Sequence, residues 1–283
     1  MKLKKSHLAL IALVVIVVAA ILIVPQLNKT KKILIGATVP PHGNILEAVK
    51  EDLKKEGFEL EIKVLTDYVT GNPATAAGDL QANYFQHGPY LAQYNESVSE
   101  KERLVGAIGV HYEPFGLYAG SKKALDELAE GDHIAIPNDP TNGARALFLL
   151  QDAGIIKLKD GLTPQTGATV LDIVENTKNI AIDELNAELI PAALQDVAYA
   201  VINGNYATGA GLSPKDDALF LEPSDGEAGK TYTNFIVVKP ENENADFVKA
   251  LKKVLFTQKT YDFILNSPEF KGGVIPVFTV SGK

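Results

Sequence analysis

The chemistry available to this chain gathers in residues 137–147, PNDPTNGARAL, which combine a strand end, a tight turn, a helix start and an arginine. Asp139 before Pro140 has the type and position of an N-cap followed by proline at the first helical position, and Gly154 suits the left-handed closing position at the far end. Unpaired N–H groups and the dipole at such a helix start favour a carboxylate or phosphate, and Arg145 can hold the same group through two parallel hydrogen bonds. The same pattern also describes an ordinary surface arginine on an αβ helix.

Two groups of loop residues lie near other strand ends. Tyr68, Tyr84, Phe85, His87 and Tyr90 are aromatic, and aromatic faces suit an apolar or thioether side chain, since sulfur packs favourably near rings. Asn138, Asn142, Arg145, Asn203, Asn205 and Asn234 supply amides and a cation, which suit a carboxylate and an ammonium. Taken singly, the aromatics are equally good core residues and the asparagines equally good turn formers.

Enzyme signatures are missing: there is no G-x-S-x-G elbow, P-loop, H-E-x-x-H or dinucleotide glycine fingerprint. No catalytic residues, metal ligands or cofactor are therefore assigned. The five histidines are singly placed, whereas zinc needs three or four ligands to converge. There is no cysteine, which excludes disulfides, thiolate metal sites and a lipid thioether.

The elements that must position these residues alternate strand and helix from Lys32 onward, which implies an α/β architecture with a largely parallel sheet. Strands are expected at 33–39, 60–65, 80–85, 104–110, 133–136, near 180, at 197–202 and at 233–238. Helices are expected from the 40–44 turn to 56, from 89 to 95, near 125, from 140 to 154, at 186–194 and at 244–265. Residues 111–120, HYEPFGLYAG, read as an extended crossing between lobes, and 233–238 as the strand that returns. Two αβ lobes joined by two crossings imply a cleft, and domain junctions are preferred small-molecule sites. The expected division is 1–32 as signal or anchor and linker, 33–115 with 232–283 as the first lobe, and 116–231 as the second.

Residues 8–24 form an uncharged apolar run flanked by lysines. As a helix it reaches roughly 26 Å, a little short of a bilayer core of roughly 30 Å, and it reads as an uncleaved transmembrane anchor or a signal helix. Formal net charge is −8, and with six lysines and no acids before Ile33 the remainder carries about −14, so no nucleic-acid partner is expected.

Four segments in order, DYVTGNPATAAGDLQANYFQHGPYL (67–91), HYEPFGLY (111–118), IAIPNDPTNGARAL (134–147) and AVINGNYA (200–207), resemble the characteristic segments of the MetQ/NlpA family. The resemblance implies a two-lobed periplasmic-binding-protein fold, type II-like, that closes on methionine and delivers it to an ABC permease driven by an ATPase. It implies that Tyr68, Phe85 and His87 line the side-chain pocket, that Arg145 and Asn203 hold the backbone groups, and that Asn234 joins them. It also implies a monomer on the extracytoplasmic face of the cell membrane. Family members are typically lipid-modified on a cysteine that this chain lacks, so its membrane attachment is expected through the N-terminal helix. Two other classes compete: an enzyme on the same fold, using Glu113 and His87, and a metal-binding importer component, using His42, His87 and His111.

Overall fold

The computed structural model describes residues 30–223 and 227–280 of the protein. The apolar run at 8–24 lies outside them, and among the described residues no helix is long and apolar enough to cross a membrane.

The first lobe is built on β1 (Lys31–Ala37), whose Ile33, Ile35 and Ala37 are buried. It pairs in parallel with β2 (Phe58–Val64) on one side and β3 (Ala82–His87) on the other. The late strand β12 (Asn234–Val238) then inserts antiparallel between β3 and β4 (Val105–Tyr112), and β13 (Ile275–Pro276) covers the outer edge of β4. Helix α1 (His42–Lys55) buries Ile45, Leu46, Val49 and Leu53 at helical spacing against this sheet. Each such side chain, fully buried, contributes about 1.5–3 kcal/mol.

The second lobe carries a five-stranded sheet in the order β11 (Ala218–Leu221), β5 (Gly116–Ala119), β10 (Tyr199–Ile202), β6 (His133–Pro137) and β9 (Ala181–Leu185). Only β10, β6 and β9 are joined by parallel pairing. Both sheets are therefore mixed, because in each lobe the crossing chain lays antiparallel strands beside a parallel αβ core. A small hairpin, β7 (Lys157–Leu158) with β8 (Ile173–Glu175), stands apart from both.

Several expected elements are redrawn. The crossing at 111–120 contains the end of β4 and all of β5. The small-residue segment after Thr70 coils into helix α2 (Gly71–Ala77), and the chain near Leu125 makes only a 3-10 turn, Leu125–Glu127. The expected helix at 186–194 divides into a 3-10 turn, Ala187–Leu189, and one short turn of helix, Ile190–Ala193. The long closing helix breaks into Asp246–Leu255 and Gln258–Asn266, where Thr257 caps the second piece by accepting from the Thr260 N–H.

Candidate ligand-binding site between the two lobes

Asp67 accepts hydrogen bonds from the Val69 and Thr70 N–H groups at 2.9 and 2.8 Å, and this tight turn throws Tyr68 inward. The Tyr68 ring stacks on Phe85 at 5.9 Å between centroids, meets Tyr90 edge-on at 5.9 Å and lies 5.0 Å from Tyr206 of the second lobe. Its hydroxyl donates to Asn205 Oδ1 at 2.5 Å, so one side chain joins an aromatic wall to the opposite lobe. Phe85 holds its place because Gly71 has no side chain: a Cβ there would sit 2.5 Å from the ring. Beneath, Asn72, Asn83 and Gln86 satisfy one another in a buried amide cluster that pins α2 to β3.

His87 ends β3 and caps helix α3 (Gly88–Ser97) by accepting the Tyr90 N–H on Nδ1 at 3.2 Å. Accepting there leaves the proton on Nε2, which donates to Asn142 Oδ1 across the cleft at 3.0 Å. Burial, then the Arg145 charge, lowers its pKa to about 4, so the imidazole is neutral near pH 7. Asn142 Oδ1 also receives Asn203 Nδ2 at 3.0 Å, and Asn142 Nδ2 is held by Asp139. Asp139 caps helix α4 (Pro140–Asp152) as the sequence implies, accepting the Asn142 N–H at 2.9 Å, and Gly154 beyond its end has φ of 72°.

Arg145 on α4 is buried between ring faces, with its guanidinium carbon 3.9 Å from the Tyr232 centroid and 4.4 Å from that of Phe115. Nε donates to Glu222 Oε1 at 3.0 Å, and Nη2 donates to Glu222 Oε2 and to the Glu113 carbonyl. The fork that the sequence offers to a ligand carboxylate therefore faces Glu222, while none of these bonds uses Nη1. Burial works against the guanidinium charge, but Glu222 outweighs it and the pKa is raised. Burial likewise works against the Glu222 carboxylate, and Arg145 keeps that group below its ordinary value.

Asn234, the first residue of β12, lies in register with both His87 and His111. Its Oδ1 is 3.1 Å from His42 Nε2, and His42 Nδ1 is 2.8 Å from Thr38 Oγ1. His111 reaches Glu113 Oε1 through Nε2 at 2.9 Å and the Tyr84 hydroxyl through Nδ1 at 2.5 Å. Burial drives His42 to about 4 and His111 to about 3, and lifts Glu113 to about 7. Ligand atoms of His42, His111 and Glu113 lie within 4.8 Å of one another, but His87 is not in that group, so the expected histidine trio is not assembled. Nor are Glu113 and His87 hydrogen-bonded to each other, since each has other partners.

All six candidate residues, Tyr68, Phe85, His87, Arg145, Asn203 and Asn234, are buried along this junction. A groove of about 540 Å³ between the lobes opens beside Asn205 and Tyr206. The arrangement offers ring faces at one end and amides, an arginine and a carboxylate at the other, and its two hydroxyl–imidazole pairs, Thr38 with His42 and Tyr84 with His111, are buried. Sequence reasoning missed Glu222, for which a lone acid after an edge strand gives no signal. It treated Glu113 only as an acid–base candidate, although a spacing of two brings Glu113, just past the end of β4, to the same side as His111 within it.

A model of the family described as NlpA lipoprotein matches residues 33–278. The D-methionine-binding lipoprotein MetQ of Escherichia coli (strain K12) is 40% identical over 248 residues, covering 86% of this chain and 87% of that one. A Ruminococcus gnavus structure described as a lipoprotein superposes with a TM-score of 0.83 at 50% identity, covering 88% of this chain and 100% of that one. A nutrient binding protein from Burkholderia cenocepacia, solved bound to methionine, gives 0.80 at 39% identity over 87% of this chain and 100% of that one.

Proposed function

The chain belongs to the NlpA lipoprotein family, and on that premise we propose that it is the substrate-binding protein of an ABC importer, capturing methionine between its lobes for delivery to a permease. The observation that carries this reading is the pairing of Tyr68 with Phe85 on one lobe and with Asn205 on the other, which sets an apolar ring wall beside a polar amide group.

In this reading Tyr68 and Phe85 receive the thioether, and His87 latches the lobes through Asn142 in its neutral form. Arg145 offers Nη1 to the carboxylate while Glu222 balances its charge, and Asn203 and Asn234 orient the remaining backbone groups. The protein works as a monomer, with lobes divided at 115/116 and 231/232. With no cysteine to carry a lipid, the apolar segment at 8–24 holds it on the extracytoplasmic face of the membrane.

Titration calorimetry of the purified protein with L-methionine, D-methionine and methionine-containing dipeptides tests the proposal. Saturable binding of at least one is the expected result. Absence of heat and of thermal stabilisation with all of them overturns it.

A further inference from the structure

His42 at the start of α1, His111 on β4 and Glu113 just past β4 each present one ligand atom within 4.8 Å of the others, and all three side chains are buried. We propose that these residues, with Asn234 Oδ1 as a fourth donor, form a binding site for one divalent transition-metal ion of the zinc type.

The spacing suits such an ion. Donors held about 2.0–2.1 Å from a tetrahedral zinc stand roughly 3.3 Å apart. Glu113 Oε1 lies 2.9 Å from His111 Nε2 and 3.4 Å from His42 Nε2, and Asn234 Oδ1 lies 3.1 Å from His42 Nε2. The Asn234 amide nitrogen donates to the Tyr232 carbonyl at 3.4 Å, which turns its oxygen toward His42. Each imidazole is also held at its other nitrogen. His42 Nδ1 meets Thr38 Oγ1 at 2.8 Å, and His111 Nδ1 meets the Tyr84 hydroxyl at 2.5 Å. A hydrogen bond at the nitrogen that does not coordinate is how metal-bound histidines are oriented.

A hydroxyl donates or accepts, so each ring has two satisfied arrangements. With the proton on Nε2, the ring donates to an oxygen of Glu113 or Asn234, and the hydroxyl donates to Nδ1. With the proton on Nδ1, the ring donates to the hydroxyl, and the two Nε2 lone pairs face two oxygens, an arrangement that needs a cation at its centre. The ion can therefore enter without leaving a buried imidazole unpaired. Charge points the same way. Arg145 is matched by Glu222, and burial keeps both imidazoles neutral, so Glu113 is a carboxylate with no cation bonded to it. Its second oxygen, Oε2, has no hydrogen-bond partner and lies against Gly204, where a Cβ would stand 2.8 Å away. Two imidazoles favour zinc, nickel or copper over magnesium and calcium.

The test is calorimetry on the full-length protein, stripped of metal with EDTA and titrated with Zn2+. One saturable site per chain and a raised thermal midpoint are expected. His42→Gln and His111→Gln should each abolish that site. His133→Gln, which alters the exposed pair with Asp183 in the second lobe, should retain it. Thr38→Val removes the hydroxyl beside His42 and none of the ligands, and should weaken Zn2+ binding roughly tenfold to a hundredfold. Should a histidine variant fail to fold, Thr38→Val carries the comparison. The proposal is overturned by a wild type without a saturable Zn2+ site, by a site that survives in either the His42 or the His111 variant or vanishes with His133, or by unchanged affinity in Thr38→Val. The ion requires no methionine, so failure of methionine to bind bears on the transport reading alone.

Discussion

Glu222 engages both Nε and Nη2 of Arg145, so this buried cation is charge-matched by a carboxylate of its own lobe. In the proposed reading two functions, holding the lobe and holding a ligand, share one guanidinium, and substitution separates them. Arg145→Met leaves Glu222 buried without a counter-charge and should cost about 3–5 kcal/mol in urea denaturation. Adding Glu222→Gln should restore much of that stability without restoring methionine binding. Methioninol, which lacks the carboxylate, should be far less sensitive than methionine to the loss of Arg145. Recovery of methionine affinity in the double variant would show that the arginine acts on the fold alone.

The Tyr68 hydroxyl bond to Asn205 ties the lobes while its ring stacks on Phe85. Tyr68→Phe keeps the ring and removes only the tie, so methionine affinity should fall about tenfold, within the range for one buried hydrogen bond. The loss should appear mainly as faster release in stopped-flow measurements. An unchanged dissociation rate means that the bond does not contribute to closure.

Gly71 and Phe85 compete for one space. Gly71→Ala should destabilise the protein by about 1–3 kcal/mol through overpacking, and Phe85→Leu in the same chain should relieve part of the loss. Phe85→Ala alone should weaken methionine binding by about 1–3 kcal/mol through lost burial and sulfur contact. Additive losses in the Gly71→Ala/Phe85→Leu chain would refute the steric argument.

Acid should unfold the protein through its buried imidazoles. Burial sets His42 and His87 to about 4 and His111 to about 3, below the 6.5 of an unfolded histidine. The unfolded chain then binds more protons, so their contribution is present above pH 6.5 and is lost as pH falls toward 4. Glu113 works in the opposite direction: raised to about 7, it holds a proton in the native state that the unfolded chain releases from about 4.5 upward. Three histidines outweigh one glutamate, so near pH 5.5 stability should rise with pH with a slope of roughly two protons. Glu113→Gln should steepen that slope; urea midpoints between pH 5 and 7 give the measurement, and a flat or falling profile contradicts it.

Legibility followed the range of the interactions involved. The start of α4 was readable because Asp139, Pro140 and Gly154 act within a few residues of one another. Strand β12 was readable from its own apolar run. Strands β5 and β11, four residues each, were not, because they exist through antiparallel pairing with partners far along the chain, β5 with β10 and β11, and β11 with β5. The aromatic and asparagine candidates could be named from their positions after strands. Glu222 could not, because its importance lies entirely in an arginine 77 positions earlier.

The place of β12 has a consequence for the order in which the chain becomes a protein. It is the middle strand between β3 and β4, yet it leaves the ribosome more than a hundred residues after both. Until residue 238 has been made, β3 and β4 each present an open strand edge, and the first lobe has no continuous sheet, whereas every strand of the second lobe is already in hand. The half of the molecule that begins first is thus completed last, and the open edges in between are where a nascent or translocating chain is most exposed to mispairing.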